Sequence, residues 1–115
     1  MSTHNSRLRK LREQYRLERA KIRHQYEKKE HEIASKIDME RDERSYWLSK
    51  LKIGEELEKA KEQINERTER INQLKLKWIE LKFDTRNELI ILERDKFMEI
   101  DQIEQEARQK GGAES

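Results

Sequence analysis

Apolar residues in the first half of the chain recur at intervals of four and then seven. Leu11 and Tyr15 are followed by Ile22 and Tyr26, then by Ile33 and Ile37, and a degraded copy ends in Leu48. The repeat extends to its neighbours, since Leu11-Arg12-Glu13-Gln14-Tyr15 returns as Ile22-Arg23-His24-Gln25-Tyr26. Eleven residues over three turns of helix put these side chains on one nearly straight stripe. The second half carries Leu57, Ile64, Ile71, Trp78 and Leu81 at heptad-like spacing. It then returns to steps of eleven, with Leu89 and Ile100 following Trp78, and Leu92 and Ile103 following Leu81. A long helix with one narrow apolar stripe cannot bury that stripe alone, so both halves require a partner helix.

The two stripes are out of phase. Continuing the first from Leu48 and Leu51 predicts apolar residues near 55, 58 and 62, where glutamates stand. The second stripe starts two residues late, a rotation of about 200° on a helix. Gly54 lies at the discontinuity, with Lys50 and Lys52 before it and Glu55 and Glu56 after it. Cations suit the end of one helix and anions the start of the next. The expected fold is therefore all-α, a long antiparallel helical hairpin of mixed hendecad and heptad coiled coil. Its expected parts are a loose tail over 1–5, a basic helix over 6–53 capped by Asn5 or Ser6, and a turn over 54–56. A second helix over 57–110 and a tail over 111–115 started by Gly111 and Gly112 complete it. A parallel pair of unbroken helices is the competing architecture.

A second apolar stripe, Leu76, Ile79, Phe83, Ile90 and Phe97, runs beside the first on the second helix. Two adjacent stripes exceed what one partner helix covers. The expectation is a homodimer in which two hairpins form a four-helix bundle through these five residues. Near the turn, Tyr46 and Trp47 are the candidate anchor for a protein partner, because aromatic residues dominate interface hot spots. Capping the end of the bundle is the other reading of Trp47.

Composition agrees with a coiled coil. Charged residues form 45% of the 115-residue chain and hydrophobic residues 32%, with no proline and a net charge of only +2. Disorder is disfavoured because the apolar positions are periodic. The longest apolar run, Leu89-Ile90-Ile91-Leu92, is far short of the ~20 residues a membrane span needs. No signal peptide is visible, and the absence of cysteine rules out disulfides and thiolate metal sites. The cytoplasm is the expected location, with the nucleus as the other candidate.

Charge is unevenly placed. Residues 7–24 hold eight basic and two acidic side chains, whereas residues 93–115 hold four basic and seven acidic ones. Folding at Gly54 sets position 11 opposite about 97 and position 15 opposite about 93, so the basic start lies beside the acidic end. Arg7, Arg9, Lys10, Arg12, Arg16, Arg19, Lys21 and Arg23 are also the candidate nucleic-acid contacts, since a basic helix neutralises phosphates.

Chemistry is hard to place. His24, Glu27 and His31 share a helix face, but lack the i, i+4 histidine pairing of helical zinc sites. The carboxylates are interleaved with basic residues on expected exposed faces, a setting in which acid–base catalysis is not expected. No catalytic residue, metal, cofactor or small-molecule substrate is expected. The sequence reads as a non-enzymatic scaffold, adaptor or assembly protein acting through itself and a protein partner. A dimeric DNA- or RNA-associated accessory factor is the alternative.

Overall fold

The computed structural model describes residues 3–114, with side chains through Gly111. It contains two α-helices packed as a hairpin, α1 over Thr3–Lys52 and α2 over Leu57–Glu114. The competing unbroken helix is thereby ruled out. Neither helix contains proline, and both are rich in strong helix formers. Helix α1 already includes Asn5 and Ser6, so the expected cap lies inside it. At the other end α2 passes through Gly111 and Gly112 to Glu114. Glycine ends a helix by turning left-handed, and among the described residues Gly54 is the only glycine with positive φ. Of the expected loose ends, residues 1–2 and 115 lie outside the described residues.

Backbone geometry explains why the chain turns at Gly54. The Gly54 N–H donates to the Leu51 carbonyl at 3.1 Å and the Glu55 N–H to the Lys50 carbonyl at 3.0 Å. These are the paired bonds of a Schellman motif, which needs a left-handed residue at Gly54, here at φ 78°. Lys50 Nζ and Glu55 Oε2 meet at 2.9 Å, so an ion pair occupies the place of the motif's usual apolar contact. Glu56 is also left-handed, at φ 47°, and its carbonyl accepts the first bond of α2 from Ala60 N–H at 2.7 Å.

Packing divides the chain into two compact units, Tyr26–Phe83 and the pairing of Met1–Gln25 with Asp84–Ser115. In the Tyr26–Phe83 unit, which holds the turn, Ile37, Trp47, Ala60 and Ile71 are buried. The inward positions on α1 include Tyr26, Glu30, Ile33, Ile37, Glu40, Arg44, Trp47 and Leu51, and on α2 they include Ala60, Ile64, Arg67, Ile71, Leu74, Trp78 and Leu81. Both sets step by three and four, so this unit packs by heptads on both helices. That corrects two seam positions. Leu48, one residue past the heptad position held by Trp47, is 46% exposed, and Leu57, ahead of the first packed position at Ala60, is 45% exposed. A polar cluster completes the seam: Arg67 Nη1 lies 3.0 Å from Glu40 Oε2, with both side chains only 19–20% exposed. Arg70 reaches the other Glu40 oxygen at 3.7 Å, and Arg44 Nη1 donates to Thr68 Oγ1 at 3.5 Å.

The other unit has a small core of Leu8, Leu11 and Ile103, flanked by Tyr15 and Ile100. Here α2 turns inward Thr85, Leu89, Leu92, Lys96, Ile100, Ile103 and Ala107, and this four-four-three stepping is the hendecad pattern. Ile22 is half-buried on α1. Arg7 Nη1 meets Glu106 Oε2 at 3.0 Å, and the Tyr15 hydroxyl donates to Glu99 Oε1 at 2.6 Å. Tyr15 thus reaches a residue six positions beyond the expected 93. Side chains lean toward the N-terminus of their own helix, so antiparallel partners meet when the α2 residue stands farther from the turn.

Candidate interaction surfaces

Three groups of side chains are candidate interaction surfaces. The first is the second apolar stripe of α2. Leu76, Ile79 and Phe83 in one unit, and Ile90 and Phe97 in the other, are each 56–64% exposed. Leu76, Phe83, Ile90 and Phe97 recur every seven residues, the spacing by which a helix offers one face to another helix. Across the described residues, thirteen large hydrophobic side chains are exposed while seven hydrophobic residues are buried. The exposed set is therefore larger than the fully buried one, and the seam leaves many large apolar side chains on the surface.

The aromatic pair near the turn is the second group, and its members part company. Trp47 is 9% exposed and Tyr46 is 53% exposed. Their rings meet edge to face with centroids 5.2 Å apart, and Lys59 Nζ sits 5.4 Å from the Trp47 ring. Trp47 occupies a heptad position, which turns its indole into the seam and leaves Tyr46 on the surface. As a partner anchor, only Tyr46 is accessible.

The third group is the basic set on α1. Arg7, Arg9, Lys10, Arg12, Arg16, Arg19, Lys21 and Arg23 are all exposed. Arg7 pairs with Glu106, and Arg16 pairs with Glu13 at 2.6 Å on its own helix. Among the described residues the other six have no ion pair within 4.0 Å.

Electrostatics at the seam follow its hydrogen bonds. Donation to Glu99, helped by desolvation and the nearby Glu99 and Asp95 charges, pushes the Tyr15 hydroxyl up to about 12. Glu30 accepts hydrogen bonds from the Tyr26 hydroxyl and from Trp78 Nε1, the latter at 3.0 Å. Those two donors hold the Glu30 carboxyl below its ordinary value. The exposed Lys82 places its Nζ 5.2 Å from the Trp78 ring. His24 and His31 are exposed, and among the described residues no three acidic or histidine side chains converge on a metal-sized site.

The charged and polar seam residues Glu40, Arg44, Arg67, Thr85 and Lys96 escape a reading based on apolar periodicity alone. Their signal is positional, since each fills a gap in a three-four or four-four-three series whose other members are apolar. No helix of the described residues is long and apolar enough to cross a membrane. Compared with protein-family models, curated proteins and solved structures, the chain matches none of them.

Proposed function

We propose that this protein is a non-enzymatic coiled-coil scaffold or assembly factor that works by self-association and by holding protein partners. The observation carrying this reading is the exposed apolar stripe of α2, Leu76, Ile79, Phe83, Ile90 and Phe97. Burying a large apolar side chain contributes roughly 1.5–3 kcal/mol, so five that are about 60% exposed offer roughly 5–9 kcal/mol per protomer. Two protomers double this to roughly 9–18 kcal/mol, comparable with the roughly 4–15 kcal/mol that association costs. That balance suits a dimer forming at micromolar concentration, with two hairpins making a four-helix bundle in the cytoplasm. Tyr46 is the contact offered to a further protein partner. The carboxylates sit mostly on exposed helix faces among basic side chains, a setting for solubility and pairing more than for proton transfer.

Light scattering on the intact chain tests the proposal. The wild type is expected at twice the 14.2 kDa chain mass, and Phe83→Glu with Phe97→Glu at the single-chain mass with helicity retained. A wild type that stays monomeric at 100 µM would refute it.

A further inference from the structure

The basic residues of α1 are not scattered around the helix. At 3.6 residues per turn, Arg9, Arg12, Arg16, Arg19 and Arg23 fall within an arc of about 80°. Their steps of three, four, three and four set neighbouring side chains about 5–6 Å apart, and the row extends for about 21 Å. Between Asn5 and Tyr26 that arc contains no acidic and no large apolar residue. Lys10, Lys21 and Arg7 lie roughly 140–160° around the same helix. Every cation of the row is an arginine, and all five are exposed. Only Arg16 is engaged, by Glu13 of its own helix. The acidic residues of α2 that bond to α1 in this unit go elsewhere: Glu106 takes Arg7 and Glu99 takes Tyr15.

From this geometry we infer a second activity, independent of self-association: the arginine row is a docking strip for the phosphate backbone of a nucleic acid. Arginine binds phosphate through a planar fork of two parallel hydrogen bonds, which a lysine cannot form. A straight row of such forks matches a linear polyanion. A membrane surface is the poorer fit, because interfacial helices set apolar side chains against the bilayer and this arc has none. The mode of contact follows from the fold. Leu8, Leu11 and Tyr15 on another face of α1 are packed against Ile100 and Ile103 of α2. The row lies about 90° around α1 from that packed face, so α2 stands beside α1, and the pair, about 20 Å across, is too wide for a major groove about 12 Å wide and lies along the strand. Binding is to backbone phosphates and is indifferent to base sequence.

Fluorescence anisotropy with a labelled 20-base-pair DNA duplex, an RNA duplex and a single strand tests the assignment on the full chain. Five phosphate contacts on duplex DNA give a log–log salt slope of about −4.5, which is about a 500-fold loss of affinity between 50 and 200 mM salt. Arg12→Gln with Arg19→Gln should flatten the slope to about −2.7 and weaken binding at 50 mM. Lys10→Gln with Lys21→Gln removes the same charge from the other side and should leave the slope unchanged. Scrambling the duplex sequence should change the affinity less than threefold. Circular dichroism checks that both variants keep their helices. Equal weakening by the two double variants would reduce the effect to net charge and overturn the row as a site. No binding of any probe at 10 µM protein and 50 mM salt would overturn it outright.

Discussion

The turn carries two left-handed residues, and exchanging their chemistry should move stability in opposite directions. At Gly54, φ is 78° and a Cβ built on the backbone would meet nothing within 4 Å. Gly54→Ala therefore suffers no clash. Its cost is conformational, about 1–2 kcal/mol for an L-residue held left-handed. The loss of glycine's freedom in the unfolded chain returns about 0.4–1 kcal/mol of that, leaving a net destabilisation of about 1 kcal/mol. At Glu56, φ is 47° and the residue already bears that strain. Glu56→Gly releases it while loosening the unfolded chain, for a net gain of up to about 1 kcal/mol. The two variants should thus differ by about 2 kcal/mol while the Lys50–Glu55 pair stays in place as an internal control. Urea unfolding followed by circular dichroism at 222 nm reads this difference as a shift in midpoint at constant slope. If both variants move stability the same way, or Gly54→Ala changes nothing, the chain does not hold this turn and the hairpin reasoning fails.

Further outcomes follow from the seam. Trp47→Ala should cost about 3–5 kcal/mol and Leu48→Ala less than 1 kcal/mol, and the reverse order in urea unfolding would restore the hendecad phase at this point. Glu40→Ala leaves Arg67 and Arg70 without their shared carboxylate, and a loss of about 1–3 kcal/mol is expected in the same assay. Tyr15 has a folded-state value of about 12 against an ordinary 10, so its contribution is complete below pH 10 and is lost as pH rises toward 12. Absorbance at 295 nm should show Tyr15 ionising late, and Glu99→Gln should bring it forward. Glu30 is shifted the other way, so its contribution is present above its ordinary value of 4.5 and is lost as pH falls below it. Trp78 fluorescence should report that loss, and Glu30→Gln should abolish the acid transition.

Much of the fold could be read from the apolar spacing. Gly54 stands out because the two stripes disagree in phase there, and a left-handed glycine between two helices is the physical form of that disagreement. Ile71, Ile103 and Leu11 are recognisable as core because each belongs to a series several turns long. The misplacement of Leu48 has a definite cause. The eleven-residue repeat of the first half gives way to heptads after Ile37, and nothing apolar at position 40 or 44 announces the change, because Glu40 and Arg44 occupy those places. Helix ends are the least visible part, since neither Asn5 nor Gly111 compels the backbone to leave the helix. The exposed stripe of α2 can be read as a surplus over one seam. The confinement of five arginines to one arc is also present in the sequence, but it becomes meaningful only once the face packed against α2 is fixed.

The Glu40–Arg67 contact has a mechanical consequence. A seam built from repeated heptads tolerates sliding, because a shift of seven residues again sets apolar against apolar. Such a shift would move Glu40 against Ala60 or Leu74 and strand both charges among side chains that cannot answer them. The pair therefore acts as a detent: it adds little grip, but it lets the two arms settle at one notch only.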